Sequence, residues 1–337
     1  MSRGGLTFVT VVHAGELPLL GLQARSLARH LTDAGIAAVH IYVNDLDEAS
    51  VCARVARIVS EYGELADRVR VFGGTEAFLH KRTTRPRMAA RAALYHLAAR
   101  YPWLQMIRRR GWNGNDGWRV QQAFKLASAR HVETPHTVFL DTKNIFLRPM
   151  VHADFVAPDG RARSWFSPHV GKSAWWLGRS QIAMGQPKDP VPSEITTFVT
   201  PFVAETALLR DLLEALEARN GPVENFFAFR LNNATEFMLI NAYCNAFRGG
   251  VRAVFADGLV RSHTVWGDPV LLDSVLAEAV AEDAQCIGLH RQALPRLGPA
   301  HRMLVADLLK SGGLIDGPTD LEQLIDAIRP VGHRHVA

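Results

Sequence analysis

An aspartate, a lysine and an asparagine stand between two apolar runs in the segment 137–147, TVFLDTKNIFL. Asp141 directly follows the first run, and Lys143 and Asn144 precede the second. A carboxylate can hold a metal ion, whereas an ammonium can itself neutralise a phosphate. Open α/β sheets bind ligands at the carboxyl ends of their strands, so this stretch is a candidate binding site. The alternative is an Asx-type turn formed by Asp141 and Asn144.

A helical pattern precedes this segment, in the sequence GWRVQQAFKL at 117–126. Gln122 and Lys125 are three residues apart and therefore lie on neighbouring turns, from which both can reach one ligand. Gln121 points about 100° away from Gln122, and we expect it to face solvent. Trp118 at the helix start can stack on a base or a sugar, although tryptophan more often packs in a core.

Glu236 begins a second helical pattern, after the polar pair Asn232 and Asn233. A carboxylate in this place can remove a proton from an acceptor hydroxyl. It can equally be a first-turn glutamate that interacts with the helix dipole, and the sequence leaves both roles open. Thr10 and Asn44 lie at the ends of earlier apolar runs, so they belong to the same predicted edge of the sheet.

Short β-branched runs alternate with amphipathic helical patterns in the first third of the chain, which predicts βαβ units and a mostly parallel sheet. One apolar stripe has the spacing of a core-facing helix and consists of Leu20, Ala24, Leu27 and Leu31. Gly35 is the expected end of this helix. The predicted strands are 6–12, 38–43, 69–72, the run ending at Asp141, 145–147, 251–255 and 286–290. The other predicted helices are 48–60, 87–100, 205–218, 235–247, 270–283, 301–310 and 319–328, with irregular loops and short antiparallel strands at 152–195.

Composition describes an ordinary globular chain of 337 residues, 48% hydrophobic and 21% charged. These values exclude a disordered chain, a coiled coil and a collagen-like fibre. The net charge of +5 permits a basic pocket for an anionic ligand but is too diffuse to indicate nucleic-acid or membrane binding. Three cysteines without a CxxC pair argue against a disulfide framework or a structural zinc site. No apolar stretch approaches about twenty residues, so we expect no transmembrane segment and a cytoplasmic location.

Three motifs together resemble a known family: GWRVQQAFKL, then VFLDTKNIFLRP, then ATEFMLINAY. They resemble bacterial glycosyltransferase-like proteins of the GT-A class, in particular the group labelled DUF6492, and the resemblance extends over roughly residues 6–290. It implies an α/β fold of GT-A type, with a Rossmann-like, nucleotide-binding mixed sheet flanked by helices and with C-terminal helical elaborations. It also implies a single domain over 1–337, with a nucleotide-sugar-binding half at 1–150, an acceptor-side half at 151–295 and C-terminal helices at 296–337.

The implied activity is a hexosyltransferase-type transfer of a sugar from a nucleoside diphosphate sugar, with a UDP-sugar as the expected donor. The expected acceptor is a hydroxyl group of a glycan or a small molecule. Inverting enzymes of this class take their general base from a helix start, which gives Glu236 that role, while a retaining mechanism stays open. The implied donor-site residues are Thr10, Asn44, Gln122, Lys125, Asp141, Lys143 and Asn144. The implied acceptor-side residues are Trp118, His169 and His263, the two histidines lying in tryptophan-containing polar loops.

The chain departs from the GT-A pattern at the centre of the motif. GT-A enzymes typically hold Mg²⁺ or Mn²⁺ on the diphosphate with an Asp-x-Asp pair, but here the DXD variant is Asp141, Thr142, Lys143. Lys143 can replace the metal as a fixed cation on the leaving diphosphate. Alternatively, Asp141 binds Mn²⁺ or Mg²⁺ together with His290, which resembles the late histidine of many GT-A enzymes. In a third interpretation activity is lost, and the protein is a non-catalytic nucleotide-sugar or glycan-binding protein.

Overall fold

The computed structural model describes residues 5–78, 111–168, 172–188, 192–228, 232–266 and 269–328. Within these ranges the strands are β1 (Leu6–Val12), β2 (Ile36–Val43), β3 (Val69–Gly73), β4 (His136–Asp141), β5 (Asn144–Phe146), β6 (Ala162–Ser164), β7 (Phe166–Ser167), β8 (Ile195–Thr196), β9 (Phe202–Glu205), β10 (Phe255–Asp257), β11 (Ser262–Val265) and β12 (Cys286–Leu289). The helices are α1 (Leu17–His30), α2 (Glu48–Ala56), α3 (Gly74–Ala77), α4 (Gly117–Ala127), α5 (Lys172–Ala183), α6 (Thr206–Asn220), α7 (Val223–Ala228), α8 (Glu236–Phe247), α9 (Val251–Val254), α10 (Pro269–Ala281), α11 (Pro299–Ser311) and α12 (Pro318–Ile328).

The main sheet has the strand order β3-β2-β1-β4-β9. The first four strands in this order are parallel, and β9 joins the edge antiparallel to β4. Val11 of β1 lies beside Asp141 of β4, so the end of the first strand and the predicted site share one edge of the sheet. Parallel strands of this kind are buried on both faces, and every residue of β1 is buried.

A second sheet with the order β11-β12-β5 begins immediately after Asp141. β5 pairs antiparallel with β12, with Asn144 opposite Gly288. β12 in turn runs parallel to β11. The polar residues 141–144 therefore form the link between the two sheets, which brings the carboxyl end of β4 close to the ends of β11 and β12.

Helix α1 contributes to two hydrophobic cores. Leu17, Leu20 and Ala24 pack into the core around the main sheet. Leu19 and Leu22 pack into a second core with β5, β12 and the C-terminal helices. The helix is therefore the structural connection between the two halves of the described chain.

The predicted α/β fold class, with a mixed central sheet flanked by helices, is confirmed. The predicted helix at 87–100 lies outside the described residues. The predicted strand 251–255 was largely wrong, because Gly249 and Gly250, both at positive φ, lead into the helical turn α9, and the strand β10 begins only at Phe255. The segment 152–195 contains the unpredicted helix α5, and the edge strand β9 was also missed.

In the part of the chain that the structure describes, no helix is both long enough and apolar enough to cross a membrane.

Candidate active site

Buried Gln23 of α1 holds the link between the two sheets in place. Its Nε2 donates to the backbone oxygens of Asp141 (2.7 Å) and Asn144 (3.1 Å). Its Oε1 accepts from the hydroxyl of Thr10 (3.0 Å). Thr10, which was predicted to bind the donor, is fully buried and does not line either of the two cavities described below. It supports the link through Gln23.

Asn144 closes the turn that presents Asp141. Its Oδ1 accepts from the backbone N–H of Asp141 (2.8 Å). Its Nδ2 donates to the backbone oxygen of Thr200 (3.0 Å) and to Ser262 Oγ (3.2 Å). The Asx-type turn and the candidate site therefore exist together, since Asn144 forms the turn and the Asp141 side chain is left for other partners.

A cluster of alternating charges surrounds Asp141. Lys125 Nζ lies 2.9 Å from Asp141 Oδ1 and 3.0 Å from Glu236 Oε1, so this buried ammonium bridges the two carboxylates. Lys143 forms an ion pair with Asp141 Oδ2. Thr200 Oγ1 donates to the same oxygen (3.1 Å). We call Lys125, Asp141, Lys143 and Glu236 the charged cluster.

Mutual pairing keeps Asp141 and Lys125 ionised. Burial alone raises the pKa of Asp141, but the charges of Lys125 and Lys143 outweigh it and hold this pKa well below its usual range. Burial lowers the pKa of Lys125, whereas Asp141 and Glu236 raise it, and the net result is a pKa above the usual range of lysine. Both groups therefore carry their charges at neutral pH.

The two glutamines of α4 have separate tasks. Gln121 Nε2 donates to Asp141 Oδ1 (2.8 Å). The expectation that Gln121 faces solvent was therefore wrong, because Gln121 and Lys125 are four residues apart and share one face of the helix. Gln122 Oε1 accepts from the backbone N–H of Glu236 (3.2 Å), so it fixes the start of α8. Thr235 caps the same helix end through Met238 N–H (3.3 Å).

The charged cluster lines a cavity of ≈ 320 Å³. Trp118 and Trp266 at this cavity are 51% and 46% exposed, which is unusual for such large apolar side chains. The Lys143 ammonium lies 5.2 Å from the centre of the Trp266 ring. The aromatic lining residues are Trp118, Trp176, Phe198, Phe237 and Trp266. Charged groups beside exposed ring faces suit a ligand that has both an anionic part and a sugar-like face.

A second cavity, of ≈ 480 Å³, adjoins the first at the carboxyl ends of β1 and β2. The residues common to both linings are Glu16, Trp118, Gln121, His290 and Arg291. Asn44 lines the second cavity only, and its side chain accepts from Trp112 N–H (3.0 Å) and donates to the oxygen of Gly117 (2.7 Å). Asn44 thus holds the start of α4 at the edge of the site.

Not all predicted side chains meet at these cavities. The structure brings together Gln122, Lys125, Asp141, Lys143, Glu236, Trp118 and His290 at the first cavity. His263 is not among the lining residues, and its Nε2 lies 3.2 Å from Glu282 Oε2. His169 lies outside the described residues.

Several lining residues were missed by sequence reasoning. Trp266 and Arg291 follow the ends of β11 and β12, so the rule applied to the other strands could have found them. Thr200 and Glu16 carried no comparable signal, because Thr200 lies in an irregular segment and Glu16 in a three-residue 3-10 turn, and neither segment has a periodic pattern.

The side chains around Asp141 do not fit a divalent cation. Among the described residues, no group of three or more His, Cys, Asp or Glu side chains could hold a metal ion. Both carboxylate oxygens of Asp141 already have ammonium partners. His290 accepts at Nδ1 from Gln292 N–H (3.3 Å), which leaves the proton of the neutral ring on Nε2. A metal held by Asp141 and His290 would have to displace these partners.

The fold and the site define an α/β protein with a charged cavity at the carboxyl edge of its sheet. The chain belongs to DUF6492, a family of unknown function whose model matches residues 12–261. The family predicted from the motifs is thereby confirmed. No curated protein matches the chain.

Among solved structures, the chain resembles the galactosyltransferase LgtC in complex with donor and acceptor sugar analogues, at 11% identity and a TM-score of 0.40 over 97% of this chain and 98% of that one. It also resembles the glycosyltransferase GlyE of Streptococcus pneumoniae, at 10% identity and a TM-score of 0.41 over 96% of this chain and 64% of that one. Mouse xyloside xylosyltransferase 1 is 11% identical, with a TM-score of 0.37 over 84% of this chain and 97% of that one.

Proposed function

We propose that the protein is a glycosyltransferase that moves a sugar from a nucleoside diphosphate sugar to a hydroxyl group of a glycan or a small molecule. The observation that carries this proposal is the charged cluster in a cavity lined by aromatic rings, of which Trp118, Phe198 and Trp266 are exposed. Lysines can bind a diphosphate, and indole and phenyl faces can pack against a sugar ring. A UDP-sugar is the donor to test first, and a cytoplasmic location stays a prediction from the sequence.

Lys143 supplies the positive charge at the diphosphate in this proposal. When the bond from the anomeric carbon to the diphosphate breaks, negative charge develops on the leaving oxygen and needs a fixed cation. Lys143 is close to the cavity surface, with a side chain that is 10% exposed, whereas the side chain of Lys125 is 3% exposed. Asp141 orients both ammonium groups, so its role is to position Lys143 and Lys125.

Glu236 accepts the proton of the acceptor hydroxyl in this proposal. Its Oε1 accepts from Lys125 Nζ (3.0 Å), which holds the carboxylate in place. The carboxylate lines the first cavity, and its backbone is fixed by Gln122. A carboxylate held in a fixed position at the cavity wall is a suitable general base.

A second candidate function is a nucleotide-sugar or glycan-binding protein without catalysis. It is favoured by the pairing of both cluster carboxylates with lysine, since a paired carboxylate is a less available base. Donor hydrolysis separates the two functions. A transferase is expected to release free nucleoside diphosphate slowly without an acceptor, whereas a binding protein releases none.

The decisive experiment is a transfer and hydrolysis assay with nucleoside diphosphate sugars chosen by a thermal-shift screen. Asp141→Asn should abolish turnover while circular dichroism shows the fold intact, and Asp159→Asn is the matched control at an exposed ion pair. Wild-type turnover in Asp141→Asn would remove the site assignment. Glu236→Gln should lower transfer at unchanged donor affinity, and loss of donor affinity instead would assign it a structural role.

The charge role of Lys143 has its own test. Wild-type activity should survive EDTA. Lys143→Ala should lose activity, while Lys310→Ala, at an exposed position of α11, should keep it. Full inactivation of the wild type by EDTA, with recovery on adding Mn²⁺, would contradict this role.

A further inference from the structure

The side chains around the first cavity are balanced in charge before any ligand arrives. Its cations among the described lining residues are Lys125, Lys143 and Arg291, and its carboxylates are Glu16, Asp141 and Glu236. A diphosphate adds negative charge to this balanced set. Because a buried anion without a counter-charge is costly, binding requires that one carboxylate give up its cation.

Glu16 is the carboxylate whose lysine or arginine partner lies farthest away. Asp141 and Glu236 are held by Lys125 at 2.9 and 3.0 Å. Glu16 Oε1 lies 3.4 Å from His13 Nε2 and 3.7 Å from Arg291 Nε. Coulomb attraction and hydrogen bonding both weaken with distance, so the Glu16 to Arg291 pair is the one most easily exchanged.

Glu16 and Arg291 also stand where the two cavities meet. Both side chains belong to the linings of the two cavities. Burial raises the pKa of Glu16, but the hydrogen bond and charge of His13 and the charge of Arg291 lower it more, so that Glu16 is anionic. The 3-10 turn Ala14–Glu16 contains Gly15. A Cβ at Gly15 would lie 2.9 Å from His13 Cε1 and 3.5 Å from Arg291 Nη1, so the glycine leaves room for both side chains beside Glu16.

We propose that Arg291 binds the diphosphate of the donor at the junction of the two cavities, and that Glu16 occupies this anion position when no donor is bound. The inference rests on the proposed function for the identity of the donor. On binding, the diphosphate takes the place of the Glu16 carboxylate beside Arg291. Glu16 therefore competes with the ligand, and its removal strengthens binding.

Calorimetric titration with UDP and with inorganic pyrophosphate, both in EDTA, tests this exchange. Glu16→Gln should tighten both dissociation constants roughly tenfold, and Arg291→Gln should weaken them by about the same factor or more. In the double variant Glu16→Gln with Arg291→Gln, the Glu16 substitution should no longer tighten binding, because the guanidinium that it would free from the ion pair is absent. Arg291→Lys should keep part of the affinity, which a purely structural arginine would not explain.

The matched controls are Glu61→Gln and Arg25→Gln, which remove the same charges from an exposed ion pair (3.2 Å) that lines neither of these cavities. They should leave both dissociation constants unchanged. The inference is overturned if Glu16→Gln binds the probes no more tightly than the wild type does. It is also overturned if neither the wild type nor Glu16→Gln binds UDP or pyrophosphate. If the variants bind as expected but the protein transfers no sugar, the anion exchange is supported and the proposed catalysis is contradicted.

Discussion

At the residue scale, Lys125 is the centre of the charged cluster. Its buried ammonium bridges Asp141 and Glu236. Without it, these two carboxylates would be close neighbours with little water around them. Removing one partner of a buried ion pair leaves charge uncompensated, and this usually costs more than the pair itself contributes. The lysine is therefore a structural requirement of the site as well as a part of its chemistry.

This requirement gives a prediction for stability. Lys125→Met should lower the free energy of unfolding by about 3–5 kcal/mol, because two carboxylates then face each other without the cation. Adding Glu236→Gln should restore part of the loss, since only Asp141 remains charged and Lys143 still pairs with it. Urea unfolding of the three proteins measures both effects. A double variant no more stable than Lys125→Met would refute the bridge.

A second residue-scale prediction concerns His40 in β2. The side chain is buried beside Phe72, with ring centres 5.0 Å apart. Burial, with a smaller effect of Arg70 and His131, lowers the pKa of His40 from 6.5 to about 4. Between these two values the unfolded chain takes up a proton that the folded chain does not, so stability falls as the pH is lowered.

The corresponding variant is His40→Phe, which keeps a ring and removes the titration. Wild-type stability should fall by about 3 kcal/mol more than that of the variant between pH 7 and pH 4. Chemical denaturation at both pH values gives the comparison. Equal pH dependence in the two proteins would show that folding does not change the pKa of His40.

At the scale of elements, α1 positions the link between the sheets. Gln23 satisfies the backbone oxygens of Asp141 and Asn144, and both would lose a donor in Gln23→Leu. Each unsatisfied buried group costs about 1–3 kcal/mol, so Gln23→Leu should lower the free energy of unfolding by a few kcal/mol. We also expect it to lower the affinity for the nucleoside diphosphate sugar. Thermal unfolding and donor titration measure these effects. Gln323→Leu on the exposed side of α12 is the control, and equal losses in both variants would contradict the assigned role.

The elements themselves were largely predictable, whereas the edges of the sheets were less so. β1, α1 and β2 follow from strong periodic patterns, because a buried face imposes its period on the sequence. β9 has only four residues, in a segment rich in Thr and Pro, and its identity as a strand depends on its partner β4. Such a strand is defined by pairing more than by its own composition.

At the scale of the whole molecule, a single domain, as predicted, should unfold in one cooperative transition. Leu20 of α1 packs in the main core and Leu19 in the second, so neither core keeps its packing if the helix unfolds. Tryptophan fluorescence and far-UV circular dichroism should therefore give coincident transitions in urea.

Two variants extend this prediction. Leu19→Ala and Leu20→Ala should each lower the single midpoint, with a cost of about 2–5 kcal/mol. Met303→Ala, at an exposed position, is the control for a lost apolar side chain. Separate transitions, or a Leu19→Ala variant that affects only one probe, would show two independently folding units.

The sequence by itself determined the α/β class, the family and the chemical types at the site, namely Asp141 and the lysines at 125 and 143. These follow from periodic burial and from short motifs, which are local properties of the chain. Only the tertiary structure decided that Gln121 and not Gln122 contacts Asp141, that Lys125 meets Glu236 from 111 residues away, and that Glu16 faces Arg291. Those contacts depend on the rotation of helices against the sheet and on how two sheets join at residues 141–144. No local pattern encodes these relations, because they arise when distant segments pack.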